Sequence, residues 1–251
     1  MSDPAPPSEP RVAIELEQHV AVVTLTRPDK HNALDLPMLD AIIAAAERLR
    51  DEPDVRAVVL HGAGKSFCSG LDFPAVAGAG GLESLAAILD EPPPNYFQRA
   101  ACGWLQLPVP VIAAIHGNCL GGGLQIALAA DVRIATADAR LSIMEGRYGL
   151  IPDMSITRTL PRLVGIDTAK ELTYTARVLS GEEADRLGLI TRLAEDPLAA
   201  AMALAREIAG RSPDAVRRAK RLLDEGWSGS AAETLALEAA LQAELIRGGN
   251  F

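Results

Sequence analysis

Val111-Ile112-Ala113-Ala114-Ile115-His116-Gly117-Asn118-Cys119-Leu120-Gly121-Gly122-Gly123-Leu124-Gln125 runs on through Ile126–Ala130 into Val132-Arg133-Ile134-Ala135. The apolar run behind Pro108 and Pro110 predicts a buried strand over Val111–His116. Three consecutive glycines then open a helix, Leu120–Ala130, and Val132–Ala135 reads as a second strand. Strand, glycine turn, helix and strand form one βαβ unit, and such units build a mainly parallel sheet.

The same alternation continues on both sides. Upstream, Val12–Leu16 and Val20–Thr26 predict a hairpin around Glu17-Gln18-His19, followed by a polar loop, Arg27–Asn32. Leu36–Arg50 has helical spacing, Val55–His61 is a valine-rich strand, and Gly62–Lys65 is a turn. Tyr96–Gln106 predicts a helix that the two prolines end. Phe73–Pro94, rich in Ala and Gly, predicts a mobile loop holding a short helix over Leu82–Leu89. Beyond Asp196 only helical patterns follow, over Leu198–Gly210, Pro213–Glu225 and Ala231–Arg247. The expected organisation is a Pro-rich disordered lead-in over residues 1–10, an α/β core over 11–195 and a helical C-terminal region over 196–251.

With 251 residues, 49% of them hydrophobic, the chain is long enough for one large α/β domain. A net charge of -9 argues against a nucleic-acid binder, which would carry a basic face. No apolar run is long enough to span a membrane, and the N-terminus lacks the pattern of a signal peptide. Three cysteines without metal-ligand spacing suit a reduced, cytoplasmic setting and no metal.

Three segments can carry chemistry. Ser66–Asp72 follows a strand and contains Gly70, so it is either an ordinary turn or a turn that presents a backbone N–H to a ligand. Gly121–Gly123 stand between a strand and a helix, where free N–H groups face outward. Their spacing is neither GxGxxG nor a P-loop, which leaves a developing oxyanion as the better client than a nucleotide phosphate. In Ser142–Asp153 two carboxylates, Glu145 and Asp153, follow apolar stretches, where burial raises carboxyl pKa values and suits them to carry protons. Asp153 reads equally well as a helix cap. Cys68 and Cys119 read as small core residues, and His116 as a structural histidine.

Arg27-Pro28 with Asn32-Ala33-Leu34, Phe67–Asp72, Gly121–Gly123, Arg162-Leu163-Val164-Gly165 and Leu179-Ser180-Gly181 through Gly188-Leu189-Ile190 occur in an order that resembles the crotonase (enoyl-CoA hydratase/isomerase) superfamily over about residues 11 to 225. The resemblance implies a spiral of ββα units with a C-terminal helical trimerisation region. It implies a homotrimer or a dimer of trimers acting on acyl-CoA thioesters, with coenzyme A as part of the substrate and no other cofactor. By the same match, the N–H groups of Leu71 and Gly122 form an oxyanion hole, and Lys30, Ser69, Gly70, Asp72 and Gly121 contact substrate or CoA. The family's basic residue near the C-terminus has no match in Gly248–Phe251.

Hydratases that resemble this chain carry glutamates at the positions of Gln125 and Glu145. Dienoyl-CoA isomerases carry acidic residues at those of Gln125, Glu145 and Asp153. Here Gln125 cannot exchange a proton near neutrality. The expectation is therefore an isomerase with Glu145 as principal proton carrier, Asp153 second and Gln125 orienting. The alternatives are a hydratase using Glu145 with Asp153 or an ordered water, a hydrolase or C–C cleaving enzyme on the same oxyanion hole, and a catalytically weak acyl-CoA-binding protein.

Overall fold

A computed structural model describes residues 10–78 and 86–249. Its main sheet has six strands in the order β1 (Val12–Glu17), β2 (Val20–Leu25), β3 (Ala57–Gly62), β4 (Val111–Ile115), β6 (Val132–Ala135) and β9 (Arg192–Leu193). Only β1 and β2 pair antiparallel; the other neighbours are parallel. A second sheet holds β5 (Asn118–Leu120), β7 (Arg140–Ser142) and β8 (Leu179–Ser180). Isolated parallel bridges, Cys68 to Cys119 and Leu34 to Leu71, lie beside it in the chain's path. After β3, β4 and β6 the chain makes a short pairing of this second kind before the next helix. This repetition is the expected spiral of ββα units.

The inner strands are buried on both faces, which is why they read as unbroken apolar runs. Val58 and Leu60 of β3 face the larger core, with Met38, Leu39 and Ile42 of the Leu36–Arg50 helix. Their neighbours Ala57 and Val59 face a second core, with Ala201, Met202 and Ala205 of the Pro197–Ala209 helix. The period-2 alternation thus distributes one strand between two layers. Helices Pro213–Gly226 and Ala231–Arg247 pack on each other. Lys220, nearly buried, ties this pair to the sheet through Asp131, whose second oxygen accepts the β4 Val111 N–H at 2.7 Å.

Local differences from the sequence reading have physical reasons. The helix expected from Leu120 begins at Gly122, because Asn118–Leu120 pairs with β7 as a strand. Three residues are too few to show periodicity. Strands β7, β8 and β9, of two or three residues, escaped notice for the same reason. In the expected loop Phe73–Pro94, Phe73–Gly78 is helical and so are residues 86–89. The start of the expected Leu82–Leu89 helix lies outside the described residues.

Asn32, fully buried with φ 55°, fixes the approach to the Ser66–Asp72 segment. Its amide nitrogen donates to the carbonyls of Ala63, Ser66 and Phe67, and its oxygen accepts the Arg27 N–H at 2.8 Å. Asn32→Asp keeps the shape and the acceptor but turns a carboxylate oxygen toward those carbonyls. It should cost about 3 kcal/mol at neutral pH in urea unfolding, and recover in part in acid, where the protonated carboxyl donates again.

Candidate active site

The parallel bridge between Cys68 and Cys119 sets the site. The Cys68 N–H donates to the Asn118 carbonyl at 2.9 Å, and the Leu120 N–H donates to the Cys68 carbonyl at 3.0 Å. Three residues beyond each member of this bridge stand Leu71 and Gly122. Leu34 takes the backbone groups on either side of Leu71: its N–H donates to the Gly70 carbonyl, and its carbonyl accepts the Asp72 N–H. The Leu71 N–H therefore points away from Leu34. Gly122 opens a helix, where the first N–H groups have no intrahelical partner. Among the described residues no hydrogen bond takes the N–H of either Leu71 or Gly122. Both residues line a cavity of about 530 Å³.

Glycine is required on both sides of this pairing. Gly70 has φ +89°, and a Cβ there would stand 2.8 Å from the Leu120 carbonyl oxygen. Gly121 has φ +52°, a conformation that side chains resist. Cys68 and Cys119 are wholly buried; burial pushes the Cys68 thiol up to about 12 and the Cys119 thiol well above its ordinary value. They are core residues, not nucleophiles. His116 is satisfied by the Gly64 carbonyl at 3.0 Å.

Gln125, Glu145 and Asp153 line the same cavity. Gln125 is buried, and its oxygen accepts the Met154 N–H at 2.8 Å. That bond fixes the amide so that its nitrogen donates to Oε1 of Glu145 at 2.7 Å. The other carboxylate oxygen, Oε2, is buried without a partner among the described residues. Burial raises the Glu145 pKa; its own backbone N–H and the Gln125 amide partly oppose this, and the charge of Asp153 adds to it. Asp153 is raised too, chiefly by burial. It caps no helix: the next one starts after Ser155.

Ser69, Gly70 and Gly121 line the cavity, while Asp72 and Lys30 do not. Asp72 is ion-paired with Arg27 at 2.8 Å and accepts the Ala75 N–H. Arg27 holds its carboxyl below the usual range. Lys30 is exposed, and its carbonyl accepts the Ser69 hydroxyl at 3.3 Å. Sequence reasoning missed Met154, whose N–H orients Gln125, and the tilted ring pair Phe73–Tyr148, with centroids 4.6 Å apart at the cavity wall. A backbone donor leaves no mark on residue type, and neither aromatic stands in a motif.

The enoyl-CoA hydratase/isomerase family model matches residues 15–250. The mitochondrial Delta(3,5)-Delta(2,4)-dienoyl-CoA isomerase of Rattus norvegicus is 36% identical, over 81% of this chain and 65% of its own length. The mitochondrial methylglutaconyl-CoA hydratase of Mus musculus is 33% identical, over 92% of this chain and 74% of its own. The crystal structure of an enoyl-CoA hydratase from Bacillus anthracis superimposes with a TM-score of 0.87 at 33% identity, covering 94% of this chain and 91% of that one.

Burying an ionised carboxylate costs stability. The native Glu145 holds its proton more tightly than the unfolded chain does, so stability falls as pH rises from the ordinary glutamate value through the raised native one. Glu145→Gln removes that cost. Its melting temperature should exceed the wild type's at pH 8, with the difference shrinking toward pH 4. A variant less stable than wild type at pH 8 would contradict the assignment of burial as the dominant influence.

Proposed function

The chain belongs to the enoyl-CoA hydratase/isomerase (crotonase) family, and on that premise we propose that it is an acyl-CoA isomerase in which Glu145 moves the proton. The carrying observation is that Glu145, whose Oε2 is buried without a partner among the described residues, lines one cavity with Leu71 and Gly122, whose backbone N–H groups have no partner there either. A thioester carbonyl accepting from Leu71 and Gly122 makes its α-proton acidic, because those donors stabilise the enolate oxygen. The Glu145 carboxylate takes that proton from C2 of a 3-enoyl thioester and returns it to C4, leaving the double bond between C2 and C3. One carboxylate suffices for this transfer, since the proton leaves and re-enters the same substrate.

Gln125 supports isomerisation over hydration. Hydration needs a second group to activate water, and the amide of Gln125 has no titratable proton. Its oxygen is already committed to the Met154 N–H and its nitrogen to Glu145. Asp153 supports the second reading, a hydratase: it lines the cavity with a raised pKa and could activate water opposite Glu145. Ser69, Gly70 and Gly121 are proposed to contact the thioester end. Lys30, exposed beside Ser69, is proposed to meet the CoA phosphates.

We also propose a homotrimer or dimer of trimers, because the chain exposes large apolar side chains, including Tyr174 at 75% late in the core and Trp227 at 68% in the helical C-terminal region. Light scattering at micromolar concentration should give a mass of three or six chains; a stable monomer would refute it. The three cysteines are free, which fits the proposed cytoplasmic setting.

Glu145→Gln should lower kcat on the best 3-enoyl or dienoyl thioester by about 10²–10⁴-fold with little change in substrate affinity. As a general base with a raised pKa, Glu145 should place the acid limb of kcat/KM above 4.5, the ordinary value. Initial rates should favour 3-enoyl-CoA over crotonyl-CoA, and Gln125→Glu should shift the ratio toward hydration. Efficient hydration by the unaltered enzyme would select the Asp153 reading.

A further inference from the structure

Among the described residues, the cavity lining carries two carboxylates and no cation: it has no lysine, arginine or histidine. In the sequence, the whole stretch from Ser66 through Gln98, which supplies seven of the lining residues, contains none of these residues. Two arginines tied to residues beside the lining are committed elsewhere. Arg27 pairs with Asp35 and Asp72, and Arg147 donates to the Ala176 carbonyl at 3.1 Å. The walls are apolar, formed by side chains such as Phe73, Leu89, Phe97, Leu120, Met144 and Ile151. A volume of about 530 Å³ is well beyond what four carbons fill.

We infer that the acyl group this cavity accepts is uncharged, apolar and longer than four carbons, and that acyl chains ending in a free carboxylate are rejected. The inference rests on the acyl-CoA reading above and specifies its substrate class. A free carboxylate at the end of the acyl chain would lose its hydration, find no cation among the described lining residues, and stand in one cavity with Glu145 and Asp153. Like charges so placed cost several kcal/mol. Each added methylene, by contrast, gains up to about fourfold in affinity, the equivalent of ~0.8 kcal/mol, until the walls are filled.

The test is isothermal titration of the native protein with saturated thioesters, which cannot undergo the double-bond chemistry. The probes are free CoA, butyryl-CoA, octanoyl-CoA, glutaryl-CoA and the monomethyl ester of glutaryl-CoA. Octanoyl-CoA should bind at least about tenfold more tightly than butyryl-CoA. Glutaryl-CoA should bind about 100-fold more weakly than its methyl ester, which has the same backbone without the charge. Equal affinity for glutaryl-CoA and its ester would overturn the exclusion of charge, and equal affinity for butyryl- and octanoyl-CoA would overturn the chain length; both leave the acyl-CoA reading standing. If no thioester binds better than free CoA, the acyl-CoA reading itself fails, and this inference with it.

Discussion

Two short segments, one through Cys68 and one through Cys119, run parallel and exchange backbone hydrogen bonds across the turn of the spiral. The site's backbone donors are positioned from that pairing. It fixes where Leu71 and Gly122 fall, and it requires Gly70 to lie against the Leu120 carbonyl. The large sheet supplies rigidity, and the Leu36–Arg50 and Pro197–Ala209 helices cover its faces. What they do is hold β3 and β4 in register, so that the segments leaving those strands meet. Arg27 and Asn32 brace the first segment from behind: Asn32 takes the Ser66 and Phe67 carbonyls, and Arg27 pairs with Asp72 beside Leu71.

Gln125 and Glu145 share a second constraint. A glutamine amide can present either end to a neighbour, and here the Met154 N–H settles which, because only the oxygen can accept it. The nitrogen must then face Glu145. One oxygen of Glu145 is thereby occupied, and the other is buried without a partner among the described residues. The donated bond favours the ionised form, while burial and Asp153 favour the neutral one. A group balanced between these influences can both take and return a proton, which a well-solvated carboxylate far below neutrality does poorly.

The sheet and the main helices were legible in the sequence because their signals are long. Val111–Ile115 and Val132–Ala135 are continuous apolar runs, and Leu36–Arg50 repeats at helical spacing. The strands of the second sheet were not, since two or three residues carry no periodicity, and Asn118–Leu120 was absorbed into the helix that follows it. In the site, Glu145 and Asp153 were recognisable by residue type and Gln125 through the family resemblance, and all three line one cavity. Asp72 also has the right type, yet its carboxylate is spent on Arg27 and the Ala75 N–H. Residue type shows what a side chain can do; it does not show which neighbour has already claimed it.

The contrast between donors and acids bears on how such a site can change its chemistry. On the proposed reading Leu71 and Gly122 act through backbone N–H groups, so their contribution depends on the spiral and is indifferent to most side chains around them. The acids act through side chains on separate elements: Gln125 on the helix after the glycine turn, Glu145 on the single turn Glu145–Tyr148, Asp153 in the loop beyond it. A substitution at any one alters proton traffic without moving the oxyanion donors. The glutamine at 125 has a structural consequence, because a carboxylate in its place would face Glu145 at hydrogen-bond distance, and both could not be ionised without a shared proton or a separating water. The amide removes that conflict and keeps the Met154 contact. The cavity thus holds one carboxylate tethered on one side only, with a second, Asp153, near enough to influence it electrostatically.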